Sequence, residues 1–193
     1  MNPAAILTSD RTTSIDAVRN GTAPIAIQIT LIVAFAALTA LGAQVRLYLW
    51  EVPFTLQTLA VYGSGLFLGW RNGMFSMLLY IIAGMFFPVF AGEGYGMTYL
   101  ASAISSGYLI GFIGASFLIG VLSTKWNSLA GTTLSTAIGS LVLFGCGVTW
   151  LHFAAGHVTW IESIDKGWLR FVPVDLLKVM AVSLIYTGCR RLK

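Results

Sequence analysis

The residues best placed to do chemistry are Asp175 and Lys178, within Val172-Pro173-Val174-Asp175-Leu176-Leu177-Lys178 at the head of the last apolar segment. A spacing of three on a helix puts a carboxylate and an ammonium on one face, one turn apart. Ionisable groups in a membrane helix are costly, and they mark substrate or ion sites facing a bundle interior or a water-filled cavity. The plainer alternative is that Asp175 charges the first turn after Pro173 while Lys178 snorkels to the interface. A buried pair serving a small polar ligand is the sharper expectation.

Other chemistries lack their residues. No Gly-x-x-x-x-Gly-Lys phosphate loop and no Gly-x-Ser-x-Gly elbow occurs. His152 and His157 lie five apart without a further ligand at metal-site spacing, and Cys146 and Cys189 form no Cys-x-x-Cys pair. Glu162 and Asp165 have acid–base character, but nothing supplies a nucleophile. The chain is therefore expected not to be an enzyme and to need no metal or cofactor. A channel is disfavoured too, because no ring of selectivity residues is present.

The elements that must position the pair are membrane helices. Of 193 residues, 57% are hydrophobic and 9% charged, with mean hydropathy +0.84. Soluble domains carry about 25% charged residues, so this composition cannot cover a soluble surface. The net charge of +4 is scattered rather than interleaved with aromatics, which argues against nucleic acid as a partner. Six apolar segments stand out, near residues 23–41, 56–70, 74–90, 107–122, 129–153 and 173–187. Arg71-Asn72-Gly73 reads as a tight turn between the second and third. Residues 1–22 are polar and read as a flexible cytoplasmic tail, leaving 23–193 as one membrane domain.

The fold expected is all-α and integral to the cell membrane, with six transmembrane helices in one bundle. Arg11, Arg19, Arg71, Lys125, Arg190, Arg191 and Lys193 fall on the side of both termini, against Arg46, Lys166 and Arg170 on the other. The positive-inside rule makes the first side cytoplasmic. The three outer connections are long and are expected to cap a ligand pocket. The first runs from Gln44 through Trp50 to Thr55, the second from Ala91 to Tyr99 with Gly92, Gly94 and Gly96, and the third from His152 to Arg170. Asp175 and Lys178 sit just beneath them. In the first segment, Ala36-x-x-x-Ala40 gives a small-residue face for close helix approach, either within the chain or to a partner.

Pro53-Phe54-Thr55-Leu56-Gln57-Thr58-Leu59, Leu79-Tyr80, Pro88-Val89-Phe90-Ala91-Gly92, Gly107-Tyr108-Leu109-Ile110-Gly111-Phe112 and Pro173-x-Asp175-x-x-Lys178 occur in that order. Together they resemble the BioY family, the biotin-binding S components of energy-coupling factor (ECF) transporters, over roughly residues 25–190. Where the family usually has Gly-Leu-Pro-Val-Phe, this chain reads Phe86-Phe87-Pro88-Val89-Phe90.

The resemblance implies capture of biotin from outside, with the first outer loop closing over it. It also implies docking of the face matching Ala36 and Ala40 on a transmembrane scaffold subunit, which couples to two cytoplasmic ATPases. Biotin is then the transported ligand, not a cofactor. Its ureido N–H groups suit Asp175 and its ureido carbonyl suits Lys178, although the valerate carboxylate is an alternative partner for the lysine. Gln57 offers a further polar contact. Trp50, Tyr80, Tyr95 and Tyr108 are candidate walls, and Gly92, Gly94 and Gly96 candidates for close backbone approach. The alternative function is a self-sufficient secondary transporter of biotin or a related small vitamin, driven by an ion gradient.

Overall fold

The computed structural model describes residues 14–49, 51–92 and 94–191. In chain order the elements are α1 (Ser14–Arg19), α2 (Ile25–Gln44), β1 (Arg46–Leu47), β2 (Phe54–Thr55), α3 (Gln57–Phe86), α4 (Gly96–Ser102), α5 (Ser106–Lys125), α6 (Leu129–Ala154), α7 (Trp160–Ile164) and α8 (Val172–Arg191). A π-helical turn, Asp165–Leu169, leads from α7 toward α8. Among the described residues, α2, α3, α5, α6 and α8 are long and apolar enough to cross a membrane. The molecule is a multi-pass membrane protein.

The element α3 is not one rod. As a straight helix it would hold Gln57 and Tyr80 about 35 Å apart, yet the Gln57 amide nitrogen lies 2.6 Å from the Tyr80 hydroxyl. The chain doubles back at Gly69, whose φ of 76° and ψ of 179° break the helix. A side chain at such a positive φ is strongly disfavoured. The reversal thus falls at Gly69 rather than at Arg71-Asn72-Gly73, and the second and third apolar segments become two short antiparallel legs. They pack closely because Gly65 and Gly73 leave room for Ser116 of α5; a Cβ on Gly73 would lie 2.5 Å from the Ser116 hydroxyl.

Within the polar stretch 1–22 expected to be a flexible tail, Ser14–Arg19 forms α1 and contacts the bundle, while residues 1–13 lie outside the described residues. Asp16 pairs with Arg190 at 3.0 Å. The Arg19 guanidinium donates to the carbonyls of Leu66 and Gly120 and to the Ser123 hydroxyl, and its carbon lies 5.6 Å from the Tyr186 ring centre. One arginine therefore supplies donors to carbonyls where helices α3 and α5 approach the same end of the bundle. The end of α8 meets the α1 segment there.

The small-residue pair on α2 also turns inward. Ala36 is buried in the core cluster and Ala40 packs against it, while Val33, Leu38 and Leu41 face outward. The physical reason is the close approach of α2 to α3: a Cβ on Gly42 would meet the backbone of Gln57 at 2.9 Å. Ala36 thus packs within this chain, with Ala40 half-buried beside it.

Candidate ligand site

At the end of the bundle opposite α1, the start of α3, the start of α5, the middle of α6 and the start of α8 surround a cavity. Across it lies the short hairpin of β1 and β2, in the register Arg46↔Thr55 and Leu47↔Phe54. Val52, Pro53, Phe54 and Thr55 of this connection form part of the lining. The Phe54 ring stacks on Phe171 at 4.2 Å between centres, and Phe90 stacks on Tyr99 at 5.3 Å. Tyr108 meets Phe144 edge-on at 6.1 Å. Aromatic walls of this kind suit a flat, largely apolar ring.

The hairpin is tied down on two sides. Arg46 donates to the carbonyls of Ala91 and Gly92 at 2.6 and 3.1 Å, and the Tyr48 hydroxyl donates to Ala91 at 2.7 Å. On the other side, Glu51 accepts from Lys166 at 2.6 Å and lies 2.9 Å from the His157 ring nitrogen Nε2. The Lys166 hydrogen bond is the main cause holding the Glu51 carboxyl below its ordinary range, against a smaller opposing effect of burial. The Lys166 ammonium is correspondingly raised, first by Glu162 and then by Glu51.

Asp175 and Lys178 both line the cavity, on one face of α8, but they do not form the ion pair their spacing suggests. Asp175 is buried and accepts from the Tyr62 hydroxyl on Oδ1 at 2.6 Å and from the Ser140 hydroxyl on Oδ2 at 2.5 Å. Lys178 donates to the Thr55 carbonyl at 2.7 Å and to the Thr58 hydroxyl at 3.0 Å. Each charge is met by neutral dipoles from other elements, so hydrogen bonds offset its desolvation. Gln57 lines the same cavity. Its amide faces Tyr80 and its Oε1 accepts from the Thr55 hydroxyl at 3.1 Å.

The remaining expected residues divide. Tyr108 lines the cavity. Tyr80 stands behind Gln57, fully buried and outside the lining. Gly92 and Gly94 lie outside the lining as well; their missing side chains let the loop lie against Tyr99, whose hydroxyl a Cβ on Gly92 would meet at 2.3 Å and whose ring a Cβ on Gly94 would meet at 2.4 Å. They shape the wall through Tyr99 rather than touching the cavity. Gly96 begins α4 with φ of 87°, and Tyr95 is exposed. Trp50 lies outside the described residues. Sequence reasoning missed Thr58, Tyr99, Phe112 and Phe171 in the lining. Thr58, directly after Gln57, and Phe171, two residues before Pro173, were within reach of the motifs.

A family model described as the BioY family matches residues 11–193. The biotin transporter BioY of Thermotoga maritima is 34% identical over 160 residues, covering 82% of this chain and 93% of that protein. The biotin transporter BioY2 of Lactococcus lactis subsp. cremoris is 31% identical over 159 residues, covering 81% and 86%. Among solved structures, the S-component for biotin from an ECF-type ABC transporter superposes with a TM-score of 0.78 at 21% identity, over 87% of this chain and 93% of that one. With an architecture in common with that S component and sequence similarity along most of its length, the chain belongs to the BioY family.

Proposed function

We propose that this chain captures biotin at the outer face of the cell membrane and delivers it inward as the S component of an ECF-type ABC transporter. The observation that carries the reading is the convergence of Asp175, Lys178 and Gln57 in one aromatic-walled cavity beneath the β1–β2 hairpin. Biotin matches those groups. Its ureido N–H groups are donors for Asp175, and its carbonyl is an acceptor for Lys178. An ammonium has three donors; with Thr55 and Thr58 taking two, one is left for the ligand.

The two legs of α3 count as separate passes in this reading, giving six crossings and cytoplasmic termini. The meeting of Asp16 with Arg190 at one end of the bundle favours an even number of crossings, and the excess of Lys and Arg at that end favours the cytoplasm. The cavity then opens outward. The scaffold subunit and the ATPases are partners that the chain needs for energised transport. With Ala36 and Ala40 turned inward, the outward residues of α2 are the better docking face.

The test is equilibrium binding of biotin to detergent-purified protein, together with mass spectrometry of whatever co-purifies. Wild type is expected to bind biotin saturably, and Asp175→Asn and Lys178→Ala to weaken binding about tenfold or more, as for lost hydrogen bonds to charged groups. No binding by wild type overturns the substrate. Unchanged affinity in both variants overturns the site.

A further inference from the structure

Neither Tyr62 nor Ser140 lines the cavity, yet both end on Asp175, which does. Tyr62 comes from the first leg of α3 and is fully buried; Ser140 comes from α6 and is buried too. Neither residue belongs to a motif that marks the family resemblance. We infer that Tyr62 and Ser140 are positioning residues that fix the plane of the Asp175 carboxylate and thereby set how strongly the site selects ligands bearing ureido N–H donors. The inference rests on the reading of Asp175 as a ligand contact.

The argument is geometric. The terminal torsion of an aspartate is soft and broadly distributed, so a carboxylate on α8 alone would present its oxygens in many orientations. Here each oxygen accepts one hydroxyl, from a different helix. Two anchors on two oxygens hold the rotation of the group. A carboxylate offers about four acceptor positions, and a hydroxyl has a single proton to donate. After Tyr62 and Ser140 have donated, acceptor positions are left on both oxygens. An ionised carboxylate has no donor of its own, so what it can take from the cavity is N–H or O–H. A ligand carbonyl or ring oxygen at the same place would meet an acceptor without a proton and be rejected. The two anchors also mean that the orientation exists before the ligand arrives, which lowers the ordering cost of binding.

The test is calorimetric binding of biotin, and of the two cyclic carbamate analogues in which one ureido N–H is replaced by oxygen, to full-length purified protein. Tyr62→Phe and Ser140→Ala are measured alone and in the Asp175→Asn background, with thermal unfolding followed alongside. Each hydroxyl deletion is expected to weaken biotin binding about five- to tenfold, the scale of one net hydrogen bond. It should narrow the preference for biotin over at least one carbamate analogue by a similar factor. In the Asp175→Asn background the same deletions should change affinity less than about twofold, because residues acting through one group are not additive. Ser140→Thr, which keeps the hydroxyl, should restore most of the loss seen in Ser140→Ala.

Equal losses for biotin and both analogues, or losses that persist in Asp175→Asn, show a purely structural role and overturn the inference. So does wild-type affinity in both hydroxyl deletions when Asp175→Asn itself binds weakly. Wild-type affinity in Asp175→Asn strikes instead at the reading of the site. If Tyr62→Phe does not fold, Ser140→Ala and its threonine counterpart carry the test alone.

Discussion

Lys178 and Thr55 are separated by 123 positions in sequence, and the ammonium of one donates to the backbone carbonyl of the other at 2.7 Å. Thr55 is the last residue of β2, so the lysine facing the cavity also holds the foot of the hairpin whose second strand lines it. The proposed ligand contact and the hold on the hairpin are joined in one side chain. Lys178→Met keeps the apolar stem and removes the ammonium. Its expected effect is twofold in kind: biotin affinity falls about tenfold or more, and the hairpin becomes more open. Limited proteolysis within residues 45–56 should be faster in Lys178→Met than in wild type, both without ligand. Weakened binding with unchanged proteolysis would separate the two roles.

Glu51 and Lys166 hold the same hairpin from the opposite side. The sign of the pH effect follows from the shifts. The Glu51 carboxyl is lowered from 4.5, so its contribution to closure is complete above that pH and disappears as pH falls through the lowered value. The Lys166 ammonium is raised from 10.5, so its contribution is complete below that pH and disappears as pH rises through the raised value. The Glu51–Lys166 pair should therefore contribute uniformly between those limits. Both groups are near the surface, and the pair is weakened by salt. Glu51→Gln is expected to speed biotin dissociation by no more than a few-fold at low ionic strength, with the difference fading in molar salt. Stopped-flow displacement of a fluorescent biotin conjugate measures it.

Much of the bundle was legible because length and composition dominate in a membrane. Four of the six apolar segments are single helices of spanning length, the second and third fall together within α3, and the charged residues of α8 stand out by the cost of charge in such a run. The register of the turn in α3 was not legible. Arg71-Asn72-Gly73 has turn chemistry, but the glycine that adopts the left-handed backbone is Gly69, in a run that reads as continuous helix. The partners of Asp175 were hidden for another reason. Tyr62, Ser140 and Asp175 lie on three helices, and nothing in their spacing joins them. Lys178 looked like the partner of Asp175 because proximity along a helix is readable and proximity between helices is not. Arg19 is a similar case: nothing in its polar stretch names its acceptors, which are carbonyls of α3 and α5.

Gly69 offers a direct check on the hairpin. With φ at 76°, a Cβ there would also come within 3.1 Å of the Arg19 carbonyl. Gly69→Ala should destabilise the protein by about 1–3 kcal/mol from backbone strain, seen as a lower unfolding midpoint in detergent. Gly73→Ala should be destabilising as well, because its Cβ would overlap Ser116 and the Ser64 carbonyl. The contrast lies with Gly145, where a Cβ meets nothing within 4 Å. Gly145→Ala lies within α6 and should be neutral or slightly stabilising. Unfolding midpoints in the order Gly145→Ala above Gly69→Ala support the reversal at residue 69.

Arg19 is the last and most discriminating case. Its guanidinium serves Leu66, Gly120 and Ser123 together and lies against the Tyr186 ring. A lysine carries the same charge but lacks the planar fork that reaches several acceptors at once. Arg19→Lys should therefore not restore what Arg19→Met loses, and both should lower the unfolding free energy by about 1–3 kcal/mol as buried carbonyls lose donors. The site at the far end of the bundle should be untouched, with biotin affinity within about twofold of wild type, as expected for distant, independent positions. Thermal unfolding and calorimetric binding on the same preparations decide the matter. A large fall in affinity in Arg19→Met would mean that the packing of α1 on α3 reaches the cavity through the α3 hairpin.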